Sequence, residues 1–144
     1  MGYVKCWIHY VWATKRRAPL LEKNIRQKVF NHIKENGQKK NIHIDSVNGY
    51  SEHAHALVSL RPEQSISEVA QLMKGESSYW INKNKLIRHS FEWQDDYFAV
   101  SVSESAVNAV RSYINTQEEH HRKETFEEEY DELMKRYGFE LIRG

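Results

Sequence analysis

The apolar residues of this chain switch between a period of two and a period near 3.6, and the order of those switches limits the fold more than any single motif. Residues 3–14, YVKCWIHYVWAT, are rich in aromatic and β-branched types and predict a strand. A basic turn follows, KRRAPLL. Beyond it Leu21, Ile25, Val29, Phe30 and Ile33 recur at helical spacing, which predicts a helix over roughly 20–38, with Pro19 near its start and Gly37 as its stop. Residues 42–51 alternate like a strand and 53–60 form another, with Asn48-Gly49 near the turn between them. Ser65 suits the N-cap of a helix over about 66–83 that carries Ile66, Val69, Leu72 and Met73. YFAVSVS reads as a fourth strand, after which Ser103 or Ser105 caps a helix running through Val107, Val110, Ile114 and Gln117. FEEEYDELMKRYGF closes the chain as a helix with acids early and Lys135-Arg136 late, as the helix dipole favours.

The order β-α-β-β-α-β-α-α predicts an α+β fold. Its first six elements form a ferredoxin-like split βαβ unit, an antiparallel four-stranded sheet with two helices on one face, and a C-terminal helix carrying Tyr113 is added to it. The first and third strands are then the central pair. With 144 residues the chain fits a single domain, with a body over about 1–103 and the last two helices over about 104–140. No apolar run reaches the length of a membrane span, and MGYVKCWIHY lacks a basic-then-apolar leader pattern, so a cytoplasmic protein without membrane association is expected. The lone Cys6 cannot form an internal disulfide and is expected to be buried and inert.

Charge is distributed unevenly. Residues 1–90 hold 15 Lys and Arg against 7 Asp and Glu, whereas residues 91–144 hold 6 against 13. A basic body with an acidic tail is compatible with nucleic-acid binding, the tail lying away from the polyanion.

SEHAHALVSL, residues 51–60, places two histidines two apart at the head of an apolar strand, so His53 and His55 share one face and Ala54 the other. His9 lies on the neighbouring strand. Two imidazoles do not make a metal site: zinc wants a third ligand of similar softness, and magnesium or manganese wants oxygens. The helix in VRSYINTQEEHH supplies candidates, since Tyr113 and Gln117 are at i and i+4, with His121 one turn on and His120 close to the same stripe.

H-A-H on a strand, followed some sixty residues later by Y-x-x-x-Q on a helix, resembles the HUH endonuclease superfamily. The order, spacing and flanks are similar to the single-tyrosine transposases of the smallest insertion sequences and their relatives associated with repetitive extragenic palindromes. The resemblance covers nearly the whole chain, from IHYVWATKRRAPLL through GYSEHAHALVSLRPEQSISEVAQLMKGESSYWI to the C-terminal third. It implies a divalent metal, Mg²⁺ or Mn²⁺, held by His53, His55 and an oxygen of Gln117, with Tyr113 as nucleophile. It implies cleavage and rejoining of single-stranded DNA through a 5′-phosphotyrosine, recognition of hairpin DNA at element ends, and a homodimer whose composite sites take the tyrosine helix from one copy and the histidines from the other. Lys15, Arg16, Arg17, Lys83, Lys85 and Arg88 are candidate phosphate contacts, and Trp12, Tyr79 and Trp80 candidate stacking residues. Two other classes compete. One is a zinc hydrolase in which His120 or His121 replaces Gln117, and the other is a non-catalytic module that binds single-stranded nucleic acid on an open sheet face.

Overall fold

The computed structural model describes residues 2–138. Strands β1 (Trp7–Ala13), β2 (His43–Gly49), β3 (His53–Ser59) and β4 (Phe98–Val102) form one antiparallel sheet in the order β2-β3-β1-β4. The central pair is β1 and β3, as the split βαβ order requires. β1 starts at Trp7 rather than at residue 3. Cys6 stands one residue before it, at the end of the sheet, and is exposed rather than buried.

Helices α1 (Lys23–Lys39) and α2 (Ile66–Lys83) cover one face. Ile8, Tyr10 and Trp12 of β1 and Ala54, Ala56 and Val58 of β3 point into that layer, where they meet Val29, Phe30 and Ile33 of α1 and Val69, Ala70, Met73 and Ile81 of α2. As expected, Ser65 caps α2, its hydroxyl accepting from the Glu68 amide at 3.1 Å. α1 begins later than the spacing predicts. Pro19 precedes it in a connecting segment that is tied down by fully buried Leu21, whose amide donates to the Ser51 carbonyl at 2.9 Å. Gly37 does not stop this helix either. The chain reverses at Asn41, with φ 64°, and Gly37 is instead a point of close approach, since a Cβ there would overlap Ile44 Cδ1 on β2. Gly49 plays a similar part before β3, where a Cβ would overlap the carbonyl oxygen of His53.

The other face of the sheet is also covered. After a 3-10 turn at Glu104–Ala106 come α3 (Val107–Asn115), α4 (Gln117–His120) and α5 (Phe126–Tyr137). The single helix expected through Gln117 is therefore broken at Thr116, with φ −111° and ψ 26°. Ser103 and Ser105 bond to each other at 3.2 Å, and neither side chain caps α3. Thr125 and Glu128 form a reciprocal capping box at the start of α5, and Gly138 ends it in the left-handed region at φ 58°. Phe139 and Glu140, the last residues expected in this region, lie outside the described residues. Val11, Ala13 and Phe98 of the sheet pack on Phe126 and Leu133, while Trp7 and Leu57 pack on Val107 and Ile114. Among the described residues, the central strands β1 and β3 are covered on both faces, which leaves them unavailable as the open surface of the nucleic-acid module considered above.

A bulge in β2 sets where α3 lies. Ile44 pairs with Val58 and Ser46 with Leu57, which leaves Asp45 as the extra residue. Its carboxylate is turned toward α3 and takes two bonds from Arg111, Nε to Oδ1 and Nη2 to Oδ2, both 2.8 Å. These bonds hold the Asp45 carboxyl below its usual pKa. A carboxyl depressed in the folded state stabilises above the unfolded value, roughly 3.9, and loses that contribution as pH falls through the folded one. We expect Asp45→Asn to melt at a lower temperature than the parent at pH 7, and the gap to close as pH is brought below about 4. Thermal melts across that range check it, and a gap independent of pH would show that the ion pair is not its source.

Candidate active site

Strand parity gathers the imidazoles. On β3, His53 and His55 face α3–α5 while Ala54 and Ala56 face α1 and α2. On β1, Val11 stands opposite His55, which places His9 diagonally across from it on the same face. All three histidines are buried, and His53 and His55 have no exposed surface. His9 Nε2 and His55 Nδ1 are 2.9 Å apart and share one proton. Burial lowers the pKa of His9 to about 3 and of His55 to about 4, so both rings are neutral near pH 7, the form in which imidazole binds a metal.

His53 is held at both ends. Its Nδ1 lies 2.7 Å from Glu52 Oε1, a carboxylate–imidazole contact that orients the ring and fixes which nitrogen carries the proton. Its Nε2 faces Gln117 Oε1 at 2.9 Å and Glu129 Oε1 at 3.2 Å, and its ring stacks on Phe126 at 4.1 Å. Burial alone would lower the proton affinity of His53, but Glu129 and Glu52 outweigh it and the pKa is raised.

Glu129 was not legible as a site residue. It sits on the inner stripe of α5 between Phe126 and Leu133 and is 2% exposed. Oε1 lies 3.2 Å from His53 Nε2, 3.5 Å from His55 Nε2 and 3.1 Å from His121 Nε2. Burial would raise its pKa, yet the bonds from His121 and His53 dominate and hold it far below the usual carboxylate range. The acidic tail therefore does not lie away from the chemistry, because α5 packs over it.

These residues suit a cation. His55 Nε2 is buried and makes no hydrogen bond, the 3.5 Å to Glu129 notwithstanding. With its Nδ1 proton given to Glu52, His53 would present a bare lone pair to two carbonyl-type oxygens. Such a cluster of acceptors needs a proton or a metal between them. The ligand atoms of His53, His55 and Glu129 lie within 4.8 Å of one another, so small side-chain movements bring them to the roughly 2.1 Å bonds of a bound divalent ion. Gln117, fully buried, brings its Oε1 to 2.9 Å from His53 Nε2, although it opens α4 rather than continuing α3.

Tyr113 completes the arrangement. Half-buried on α3, its hydroxyl donates to Glu129 Oε2, and its ring meets His55 edge-on with centroids 5.6 Å apart. Burial and the Glu129 charge raise its pKa, so the phenol is protonated at neutral pH. A cavity of about 390 Å³ opens on this side, lined by His9, Tyr113, His120 and Glu129 among others. The two C-terminal histidines separate: His120 lies against the Tyr113 ring at 4.8 Å, while His121 joins the polar cluster at 3.2 Å from Gln117 Oε1. Tyr113 and the histidines come together within one chain, whereas the resemblance places them on two.

The candidate DNA contacts fall in two places. Lys15, Arg16 and Arg17 are exposed at the end of β1, with the Arg17 guanidinium 5.1 Å from the Phe126 ring centroid. Lys83, Lys85 and Arg88 are exposed at and beyond the end of α2, the helix on the opposite face of the sheet. Tyr79 is exposed, Trp80 stacks on His32 at 3.9 Å, and Trp12 is buried edge-on to Trp93.

The chain resembles known proteins. Residues 3–117 match the family described as "Transposase IS200 like". The chain is 24% identical over 123 residues to the ISDra2 transposase TnpA of Deinococcus radiodurans, covering 81% of this chain and 87% of that one. A transposase crystal structure from Deinococcus radiodurans superposes with a TM-score of 0.65 at 21% identity, over 81% of this chain and 95% of the other. A REP-associated tyrosine transposase bound to a REP hairpin superposes with a TM-score of 0.62 at 14% identity, over 84% and 72%. With a family match over most of its length and a fold shared with two transposases, this chain belongs to the IS200-like transposase family.

Proposed function

We propose that the protein cuts and rejoins single-stranded DNA, folded as hairpins at element ends, with Tyr113 as nucleophile and a divalent cation, Mg²⁺ or Mn²⁺, at His53, His55, Glu129 and Gln117. One observation carries this reading: the Tyr113 hydroxyl donates to a carboxylate that itself stands against both histidines of the pair. The oxygens of Glu129 and Gln117 make the donor set harder than imidazoles alone and favour Mg²⁺ or Mn²⁺. The cation would neutralise charge on the phosphate and favour loss of the phenolic proton.

The chain's own residues do the rest. Glu52 and His9 hold His53 and His55 in fixed orientations, so the ligand atoms need little rearrangement. Glu129 Oε2 accepts the phenolic hydrogen bond and so orients the Tyr113 oxygen, whose proton would pass to water as that oxygen bonds to phosphorus. The P–O3′ bond breaks in the same displacement, and the departing oxygen gains a proton to become a 3′-hydroxyl. The product is a 5′-phosphotyrosine. Because phenolate is a good leaving group, a 3′-hydroxyl can reverse the step and join strands without an outside source of energy. Lys15, Arg16 and Arg17 would hold phosphates near the site, and Lys83, Lys85 and Arg88 a more distant part of the DNA. Such a reaction belongs in the cytoplasm.

A zinc hydrolase built on imidazoles is the second reading, favoured by His121 Nε2 at 3.1 Å from Glu129. There Tyr113 would be dispensable. We expect Tyr113→Phe to abolish the covalent adduct with a single-stranded oligonucleotide on denaturing gels, while thermal stability and non-covalent binding stay close to the parent. Hydrolysis that survives in this variant would favour zinc. We also expect chelator, His53→Ala and His55→Ala each to remove cleavage, and added Mg²⁺ or Mn²⁺ to restore only the chelated parent. Cleavage undiminished by chelator would refute the metal site.

We further propose a homodimer with composite sites. The sheet face that receives α3 within one chain can receive it from a second copy through the same contacts, as in any swapped element. Tyr113→Phe and His53→Ala/His55→Ala subunits, inactive separately, should regain adduct formation when mixed and allowed to exchange. If verified heterodimers stay inactive, each site is built from one chain.

A further inference from the structure

A second cavity shares a wall with the metal site and has no part in the chemistry described above. The ladder between β1 and β4 ends at Val11 and Phe98, and the chain rejoins β1 only at Gln94, whose amide donates to the Ala13 carbonyl at 2.8 Å. The residues between them bow away from the edge of β1. The opening holds about 330 Å³, at the small end of the range for ligand pockets, roughly 300–1,000 Å³. Tyr97, Phe98, Phe126 and Tyr130 line it, with Arg16 and Arg17 beside them. Phe126 is the shared wall, because its ring also stacks on His53.

The arginines are held there against backbone preference. Arg16 and Arg17 have φ of 59° and 53°, a left-handed conformation uncommon outside glycine, here in two consecutive residues. Surrounding bonds hold them in it. The Arg17 amide donates to the Thr14 carbonyl at 2.9 Å, and the Arg16 amide to Gln94 Oε1 at 3.2 Å. Strain of this kind persists where neighbouring structure enforces it, and it clusters at binding and catalytic sites. Its result is that the Arg17 guanidinium lies 4.7 Å from the Tyr130 ring centroid and 5.1 Å from that of Phe126.

From this combination we infer that the cavity beside Arg17, Tyr130 and Tyr97 binds one unstacked base of the single-stranded substrate, next to the phosphate that Tyr113 attacks. Phe126 has one ring face on His53 and the other under Arg17, so the surface left for a base is that of the Arg17 guanidinium, Tyr130 and Tyr97, and Arg16 meets the phosphate that accompanies it. The cavity is too small for a duplex. Its common wall with His53 puts the bound nucleotide beside the metal site rather than on a distant surface. The inference rests on the strand-transfer reading and adds to it a protein contact to a base.

Binding of two equally charged strands tests it: a thymidine dodecamer, and a dodecamer of abasic residues that keeps the phosphates and lacks the bases. At fixed salt the parent should prefer the thymidine strand by about tenfold, within the range that stacking on an aromatic ring supports. Tyr130→Ala should bring that preference close to unity while still binding the abasic strand, which also shows that the variant is folded. Tyr130→Phe, which keeps the ring, should retain the preference. Arg17→Ala should weaken binding of both strands and reduce its dependence on salt. A preference unchanged in Tyr130→Ala, or absent in the parent, overturns the base pocket and leaves the strand-transfer reading standing. Failure of the parent to bind either strand overturns both.

Discussion

A carboxylate buried among imidazoles holds the two halves of this protein in register. Glu129 comes from the last helix, His53 and His55 from a central strand, and His121 from the segment between. An unpaired carboxylate at that depth would cost several kcal/mol, so α5 can pack on the sheet only if positive charge meets it there. Glu129 and Glu52 raise the proton affinity of His53, which makes that ring a suitable partner for the buried carboxylate. A bound cation would supply positive charge more fully and release His53 to act as a neutral ligand. Closure of the C-terminal helices and readiness of the site are thus the same event in electrostatic terms.

The sheet makes this possible through parity rather than through any special loop. Alanines at 54 and 56 let the helix layer approach β3 closely on one side, and the alternate positions deliver two imidazoles to the other. A one-residue slip of β3 would reverse that assignment, burying the histidines beneath α1 and α2. The register is defended by long apolar residues on both faces of β1, where all seven residues are buried. The bulge at Asp45 serves the same end from the sheet's edge, because it turns one carboxylate toward Arg111 and so fixes where α3, and with it Tyr113, crosses β2 and β3.

The sheet, its order and the first two helices were legible because their apolar periods are long and regular. The histidine pair was legible because a spacing of two on a strand has only one geometric meaning. What escaped the reading depended on contacts between distant segments. Gly37 looks like a helix stop, but its role is set by Ile44 across the helix–sheet interface. Thr116 gives little local warning of a break, yet the break lets Gln117 turn its side chain toward His53. Glu129 did leave a trace. It stands on the inner stripe of α5 between Phe126 and Leu133, and an acid at such a position calls for a buried partner. Within FEEEYDEL it is one of several acids early in a helix, where the helix dipole alone accounts for them.

The uneven charge of the chain takes on a different meaning once the fold is known. A basic body with an acidic tail first suggests that the tail keeps clear of a polyanion. Here the tail closes over the site instead, and one of its carboxylates enters the cluster of candidate ligands. On the strand-transfer reading, the remaining acids of α5 would lie near the path of DNA to Tyr113 and would repel phosphate. Attraction would come from Arg136, which lines the Tyr113 cavity, and from the basic turn at Lys15–Arg17, where Arg17 touches Phe126 and Tyr130 of that helix. Repulsion by α5 and attraction by this turn together restrict the strand to one approach. Under that restriction, electrostatics contributes to choosing which phosphate reaches the tyrosine, in addition to how tightly the DNA is held.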